Sequence, residues 1–354
     1  MFNLDQYDLI SRVADRIGSL FQQRRLRAFS TLFVVGLGLS LLVTACNPGT
    51  NSSTVASSPN SAAPTSQNRA LRVGYQKSST VLNLLKNQGT LEEKLQPEGV
   101  RVEWAEFAAG PQMLEALNVG SIDFAYTGET PPVFAQAADA PLVYVAYEPV
   151  GGSAEAILVR EDSPIQTVED LRGKTVALNR GSNVHYLLVR ALEEAGLEYS
   201  DITTAYLPPG DARPAFEQGS VDAWVIWDPF QAAAETSANA RILVDGKDLV
   251  ANHGYFLSTQ NYVDQNPDLI EEILEELRTT ANWAEDNPSE VASFLSDELG
   301  IDIPSLELAE TRRGYGVKPL TDEIVKGQQQ IADTFYNLEL IPKQISVADV
   351  VWKG

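Results

Sequence analysis

Two short apolar segments of the chain are framed by nearly the same polar residues. One runs from Ala223 to Ile226, after Gly219-Ser220-Val221-Asp222 and before Trp227-Asp228-Pro229. The other, earlier in the chain, runs from Phe124 to Tyr126, after Gly120-Ser121-Ile122-Asp123 and before Thr127-Gly128-Glu129. A short, almost unbroken apolar segment is typical of a strand buried on both faces of a parallel sheet. The repeat therefore predicts two similar α/β lobes, with chance recurrence of common turn residues as the alternative.

The surrounding pattern predicts alternating helices and strands. Each apolar segment follows a helical pattern, at 113–119 and 212–218, and ends in a polar corner whose proline suits the start of the next helix. Further strands are predicted at 71–75, 102–104, 142–147, 156–159, 175–178, 205–207 and 254–258, and helices at 133–138, 183–196, 267–285, 288–299 and 321–336. Because the strand at 254–258 is predicted to return to the first lobe, lobe 1 combines 70–154 with 256–354, and lobe 2 spans 155–255.

The first 45 residues form a predicted secretory signal. Arg24, Arg25 and Arg27 precede an uncharged stretch at 28–45, whose apolar centre at 32–43 is short for a membrane-spanning helix. The end of this stretch, Val43-Thr44-Ala45-Cys46, resembles the bacterial lipoprotein box, which implies that Cys46 is the lipidated first residue of the mature protein. An uncleaved membrane anchor and an ordinary buried thiol are the alternatives, and translation could also start downstream of Met1.

Residues 46–69 are predicted to be a flexible tether between the lipid and the globular part. Ser, Ala, Thr, Asn and Pro dominate this stretch, which has no aromatic residue and no charge before Arg69. Such a composition cannot bury a hydrophobic core.

Charge and cysteine content narrow the function. The chain has 26 basic and 48 acidic residues, a net charge of -22, so that nucleic-acid phosphates would be repelled. Its one cysteine excludes an internal disulfide, and two histidines leave little for a soft metal site. We expect no nucleic-acid partner, no metal and no cofactor.

The polar corners carry the candidate chemistry, because open α/β sheets bind ligands beyond the carboxyl ends of their strands. Several corners precede helix N-termini, where free N–H groups and the helix dipole favour a small anion. The candidate ligand-binding residues are Gln76, Thr127, Gly128, Glu129, Ser182, His185, Trp227 and Asp228. Helix capping is the alternative for Ser182 and Asp228, and a satisfied structural histidine is the alternative for His185.

Catalysis is not expected, because no nucleophile-elbow spacing, no phosphate-binding glycine loop and no second histidine near His185 are found. Glu129 and Asp228 would form an acid/base pair in the enzymatic alternative, but ligand selection or capping explains them equally well.

Several of these stretches closely resemble the aliphatic sulfonate-binding proteins of ABC importers, within the nitrate, sulfonate and taurine group. They are Gly74-Tyr75-Gln76-Lys77, the stretch at 111–123, and Val221 to Pro229, while Gly181-Ser182-Asn183-Val184-His185 is similar to the family's Gly-Ser-Ser-Ser-His. The similarity extends over about residues 71–352. It implies a type II periplasmic-binding-protein fold, two α/β lobes joined by two crossovers with a ligand cleft between them. It also implies pocket positions at Gln76, Thr127, Gly128, Ser182, His185, Trp227 and Asp228, and an acid at Glu129.

The resemblance implies a monomeric extracytoplasmic lipoprotein that delivers aliphatic sulfonates to an ABC permease and its ATPase for sulfur uptake. It would act in the periplasm or at the outer face of the cytoplasmic membrane, which it would meet only through its lipid. Taurine and nitrate are the alternative ligands. A thiamine-precursor pyrimidine, bound or processed on the same scaffold, is the alternative of a different class. Arg312 and Arg313 depart from some family members, and one of them could either touch the anion or belong to a surface turn.

Overall fold

The computed structural model of the protein describes residues 69–354. The predicted signal segment, the lipidation at Cys46 and the tether up to residue 68 lie outside the described residues. Arg69, predicted as the last residue of the tether, is the first residue of a strand. Within residues 69–354, none of the helices combines the length and the apolar character needed to cross a membrane.

Ten strands of the described region form two separate five-stranded sheets. The first sheet has the order β2-β1-β3-β10-β4 and the second the order β7-β6-β8-β5-β9. The strands are β1 Arg69–Tyr75, β2 Val100–Glu106, β3 Phe124–Gly128, β4 Leu142–Glu148, β5 Glu155–Arg160, β6 Thr175–Leu178, β7 Thr203–Tyr206, β8 Ala223–Trp227, β9 Ala240–Asp245 and β10 Gly254–Thr259.

The two sheets share one plan. In each sheet the first of three mutually parallel strands lies between the other two, and the third of them pairs with an antiparallel strand from elsewhere in the chain. In the first sheet that antiparallel strand is β10, which follows all five strands of the second sheet in the sequence. The predicted pair of similar α/β lobes is therefore confirmed, with β3 and β8 in equivalent positions.

Helices cover the sheets, and four of them begin at the polar corners. The helices are α1 Thr80–Gln88, α2 Thr90–Leu95, α3 Gly110–Asn118, α4 Thr130–Ala137, α5 Asn183–Glu194, α6 Pro209–Glu217, α7 Phe230–Ser237, α8 Gln260–Gln265, α9 Pro267–Asp286, α10 Pro288–Leu299, α11 Ile303–Glu310 and α12 Asp322–Asn337. The apolar residues of β3 and β8 are buried. Burying one large aliphatic or aromatic side chain contributes about 1.5–3 kcal/mol, so these short strands act as the centres of their cores.

The repeated Gly-Ser-x-Asp sequence has the same structural role in both sheets. Gly120 and Gly219 adopt positive φ angles of 71° and 72° just after α3 and α6, a conformation that favours glycine. The backbone N of Asp123 then donates to the backbone oxygen of Arg72 in β1 at 2.7 Å, and Asp123 Oδ2 accepts from Arg72 N at 2.9 Å. Asp222 does the same with Thr175 of β6, where Oδ2 accepts from the backbone N at 2.8 Å. The aspartate thus fastens the central strand to its neighbour.

The C-terminal part of the chain reaches across to the second sheet's half of the molecule. Arg312, just after α11, donates two hydrogen bonds of 2.8 Å to the two carboxylate oxygens of Glu235 in α7. Next to this pair, the hydroxyls of Thr236 and Ser305 lie 2.6 Å apart. We call these contacts the α7–α11 latch, because they join two helical segments that pack on different sheets.

Candidate functional site

A cavity of about 60 Å³ lies where the corners of the two sheets meet. Its walls include the residues that precede α1, α4, α5 and α7, as well as residues of α10, α11 and the segment before β10. The N-terminus of a helix carries a partial positive charge from the helix dipole, and four such termini border one small space. We call it the front cavity.

Five of the eight candidate residues line the front cavity, and three do not. The lining residues are Gln76, Gly128, Ser182, Trp227 and Asp228. Thr127, Glu129 and His185 are buried next to it without lining it. In this conformation, ligand contact through those three side chains is therefore not supported by the cavity's lining.

The alternation of side chains along β3 explains the position of Thr127. Tyr126 and Gly128 line the front cavity, so the residue between them faces the other side of the sheet. Gly128 is also a point of close approach: a Cβ built on it would lie 2.9 Å from Asn183 Cγ. Only a glycine leaves room there for α5 to approach the corner.

His185 is held by a buried polar and aromatic environment. Its Nδ1 accepts from Gly181 N at 3.2 Å, and its Nε2 lies 2.7 Å from the hydroxyl of Tyr199. Its ring also packs against Phe335, with 5.2 Å between ring centroids. Burial lowers the pKa of His185 to about 4, so the ring is neutral at pH 7. The alternative interpretation, a satisfied structural histidine, describes these contacts.

Glu129 faces away from the front cavity. Its Oε2 accepts from the backbone N of His253 at 3.0 Å, and Oε1 has no hydrogen-bond partner. Burial raises the pKa of Glu129 to about 7. The nearby Glu155 is also buried, accepts from Asn183 Nδ2, and has a pKa raised well above the ordinary range by burial and by the charge of Glu129.

Asp228 has one carboxylate oxygen engaged and one free. Oδ1 accepts from Ala232 N at 3.0 Å, which caps the first turn of α7, and Arg312 Nη1 lies 3.7 Å from the same oxygen. Oδ2 has no hydrogen-bond partner, and burial raises the pKa of Asp228 to about 7. The carboxyl group therefore both caps a helix and offers an acceptor to the front cavity.

Arg313 lines the front cavity, and the sequence analysis left its role undecided between contact with the anion and a surface turn. Its guanidinium is buried and donates to Glu148 Oε1 at 3.0 Å and to Thr80 Oγ1 at 2.6 Å. Its Nε, however, has no hydrogen-bond partner. The local sequence held only a weak signal, two adjacent arginines in a strongly acidic chain, because the partners of Arg313 are far away in sequence.

A second positive group stands at the wall of the front cavity. Lys77 Nζ donates to the carbonyl oxygen of Leu299 at 2.6 Å, and within residues 69–354 no carboxylate lies within ion-pair distance of it. The charge of Arg313 is balanced by Glu148, whereas that of Lys77 is not. The cavity therefore combines helix N-termini, a buried guanidinium and an ammonium without an ion-pair partner with the carboxyl groups of Asp228 and Glu310, and its positive groups suit an anion. In the same described region, no three His, Cys, Asp or Glu side chains are grouped to hold a metal ion.

Two α/β lobes whose helix N-termini converge on one small cavity define the class of periplasmic solute-binding proteins. The comparisons with known proteins agree with this. The chain belongs to the NMT1/THI5-like family, whose model matches residues 95–291.

Several similar proteins are binding proteins. The structure of the alkanesulfonate-binding protein SsuA from Xanthomonas axonopodis pv. citri, bound to MOPS, has 40% identity and a TM-score of 0.77, covering 80% of this chain and 98% of that one. The structure of the periplasmic aliphatic sulphonate binding protein SsuA from Escherichia coli has 43% identity and a TM-score of 0.74, covering 81% and 93%. A relative from Escherichia coli (strain K12), with the provisional name of an aliphatic sulfonates-binding protein, is 44% identical over 285 residues, 80% of this chain and 89% of that protein. The fold is thus that of the periplasmic binding proteins, and the protein is a binding protein rather than an enzyme.

Proposed function

We propose that the protein captures aliphatic sulfonates outside the cytoplasm and delivers them to an ABC importer for sulfur uptake. Relatives at 40–44% identity carry names that describe alkanesulfonate or aliphatic sulfonate binding. Similarity of fold alone does not determine a ligand, so the assignment depends on the chemistry of the front cavity.

The unpartnered Nε of Arg313 is the observation that carries this proposal. A buried N–H without an acceptor costs about 1–3 kcal/mol, and an oxygen of a bound sulfonate would remove that cost. Lys77 supplies further positive charge for the remaining oxygens, and the dipoles of α1, α5 and α7, whose N-termini border the cavity, add to the positive potential. A planar guanidinium also orients an oxyanion more strictly than an ammonium does.

The size of the front cavity favours a short alkyl chain. One water molecule needs roughly 10–15 Å³ of such space, so a volume of about 60 Å³ accommodates a ligand of only a few heavy atoms. Trp227 provides an apolar wall for the alkyl group. Among the candidate residues, we assign ligand contact to Gln76, Gly128, Ser182, Trp227 and Asp228, together with Arg313.

Capture is proposed to proceed by closure of two lobes, one of 70–154 with 256–354 and the other of 155–255. The α7–α11 latch would then hold the closed form, which docks on the permease as a monomer. We further propose that lipid on Cys46 anchors the protein at the outer face of the cytoplasmic membrane and that the stretch at 46–69 is its tether.

Taurine is the second candidate ligand, and one observation favours it. Asp228 Oδ2 is a buried acceptor without a partner, and the ammonium group of taurine would supply the missing donor. A taurine-binding periplasmic protein of Escherichia coli (strain K12) is 26% identical over 175 residues, 49% of this chain and 52% of that protein.

Calorimetric titration of the full chain with ethanesulfonate, taurine, nitrate and sulfate tests the proposal. We expect one-to-one binding of ethanesulfonate that is tighter than binding of the other three anions. Stronger binding of taurine would assign Asp228 to an ammonium group and correct the ligand. Tightest binding of nitrate or sulfate would remove the role of the alkyl chain, and no binding of any of the four would contradict the proposal.

A further inference from the structure

A second, larger cavity lies behind the segment that leads into β10. It has a volume of about 540 Å³ and is lined by Glu129, by 247–251 and His253, by Tyr186 of α5, by Tyr255 of β10 and by α12. We call it the rear cavity. His253 lines both cavities, so the two are separated by this one stretch of chain.

Three polar atoms of residues lining the rear cavity have no hydrogen-bond partner. They are Glu129 Oε1, Gln328 Oε1 and His253 Nδ1. The side chains of Glu129 and Gln328 are each 1% exposed, so water at the surface does not satisfy them. Buried acceptors of this kind normally have a donor within reach, because leaving them empty is costly.

These three residues are fixed in one connected group. Gln328 Nε2 donates to the backbone oxygen of Glu129 at 2.5 Å and to the hydroxyl of Tyr144 at 3.0 Å. The backbone N of His253 donates to Glu129 Oε2 at 3.0 Å. The two donated bonds identify the nitrogen end of the Gln328 amide. The other end is therefore its oxygen, which is an acceptor. Burial lowers the pKa of His253, so its ring is neutral and can present an unprotonated nitrogen.

No buried positive charge balances Glu129 in the part of the chain that the structure describes. The groups that face it are Glu155 from β5, Tyr186 from α5, Tyr255 from β10 and the backbone of the segment before β10. Exposed Lys247 and Lys326 lie at the rim with Asp248 and Glu323, and neither lysine forms an ion pair with Glu129. The carboxylate and the two neutral acceptors therefore favour a cation that brings its own donors.

The other walls of the rear cavity are apolar. Leu249 and Val250 line one side, and Ile324 and Ile331 of α12 line another. A protonated primary amine has three N–H donors, the same number as the unpartnered acceptors, and a short alkyl group would contact the apolar walls. A divalent metal would find only one buried carboxylate among the lining residues, and within residues 69–354 no three His, Cys, Asp or Glu side chains are grouped to hold a metal ion.

We propose that the rear cavity binds a small primary alkylammonium ion, with its three N–H groups on Glu129, Gln328 and His253. This is a binding site separate from the front cavity, and it requires no sulfonate to be present.

Calorimetric titration of the full chain with methylammonium chloride at pH 8.5 tests this site. Tetramethylammonium chloride, which has the same charge and no donors, and potassium chloride are the controls. We expect one-to-one binding of methylammonium and at least about tenfold weaker binding of both controls, the loss that follows from missing charge-assisted hydrogen bonds. With the pKa of Glu129 at about 7, lowering the pH from 8.5 to 6 should weaken methylammonium binding roughly tenfold. Equal binding of tetramethylammonium, or no binding of methylammonium at pH 8.5, would overturn the proposal.

Substitutions locate the site. Glu129→Gln preserves the shape of the side chain and should weaken methylammonium binding about tenfold or more, whereas Glu323→Gln at the rim should change it by less than about twofold. Binding that appears only in the Lys247→Ala/Lys326→Ala double variant would mean that one of the protein's own ammonium groups fills the cavity, and it would overturn the proposal. If Glu129→Gln does not fold, the comparison of methylammonium with tetramethylammonium on the unaltered chain still tests whether the site binds a primary ammonium group.

Discussion

Arg313 and Asp228 illustrate how a buried ligand site is prepared at the scale of single residues. Each has polar side-chain atoms engaged in the protein and one atom, Nε or Oδ2, left without a partner. The engaged atoms fix the side chain, and the remaining atom is available for a ligand at little further cost in conformational entropy.

Arg313→Lys should weaken ethanesulfonate binding about tenfold or more while retaining the positive charge. Lysine cannot keep the contacts with Glu148 and Thr80 and also offer a donor at the position of Nε. Calorimetry measures the change, and Arg278→Lys on the exposed face of α9 is the matched control. Unchanged affinity in Arg313→Lys would contradict the role of the guanidinium.

The stability that Glu129 and Asp228 contribute should fall as the pH rises from about 5 to about 8. Burial raises the pKa of Glu129 and Asp228 to about 7, whereas unfolded carboxyl groups titrate near 4, so the folded state holds more protons in this range. The stability contributed by these protons is therefore complete at low pH and is lost as the pH rises through about 7. Between pH 5 and pH 8 each group accounts for about 3 kcal/mol, because its protonation differs between the folded and unfolded states over about two pH units and each unit corresponds to about 1.4 kcal/mol.

Urea unfolding at pH 5 and pH 8 measures this effect. In Glu129→Gln the decline in the free energy of unfolding should be smaller by about 2–3 kcal/mol, because one titrating group is removed. An equal decline in the variant and the parent would show that Glu129 ionises normally.

Where the signal was local, the sequence indicated residues that line the front cavity, and their contact with a ligand stays a prediction. The corners at Gln76, Gly128, Ser182, Trp227 and Asp228 were found because glycine, proline and polar residues follow apolar segments there. Which face a side chain occupies was harder, because Thr127 is turned away by the pleat of β3 and His185 by the packing of α5 against Phe335. Arg313 was left open, since its position depends on contacts with Thr80 and Glu148 that no local pattern encodes.

At the scale of secondary-structure elements, the repeated aspartate is the best example of a sequence signal with one physical cause. A carboxylate oxygen that accepts from a backbone N–H adds a charge-assisted bond to the strand pair β1–β3 or β6–β8. The repeat could be recognised from sequence because the same short turn, strand and corner occur in both lobes. The antiparallel placement of β10 was anticipated only as a return to lobe 1, because pairing direction depends on the whole sheet.

Asp123→Ala should lower the free energy of unfolding more than Asp222→Ala. Asp222 accepts one backbone bond, worth about 1–3 kcal/mol as a bond to a charged group, whereas Asp123 also binds the guanidinium of Arg72. Urea unfolding measures both losses, with Asp162→Ala, at an exposed position, as the control. A smaller loss in Asp123→Ala than in Asp222→Ala would contradict this account.

At the scale of the whole molecule, the α7–α11 latch joins the two lobes at the edge of the front cavity. Arg312 is held by Glu235 and also lies near Asp228, so the cavity wall and the latch share one side chain. Contacts made only in a closed form shift the population towards that form and slow ligand release.

Glu235→Gln should therefore weaken ethanesulfonate binding about three- to tenfold, mainly through a faster dissociation rate, although Glu235 does not line the cavity. Stopped-flow displacement measures the rate. Glu307→Gln, at an exposed position of α11, should leave it unchanged. A slower association rate with unchanged dissociation would contradict a latch.

The positions of Asp123 and Asp222 have a practical consequence for protein engineering. Each aspartate lies at the amino end of a five-residue strand, and the corner that lines the front cavity lies at the other end, about 15 Å away. Ligand binding and the attachment of the strand to its neighbour are thus functions of opposite ends of the same strand. The corner residues can be exchanged as cassettes, for example in a fluorescent biosensor for a different organic anion, while the fasteners that keep each sheet intact stay untouched.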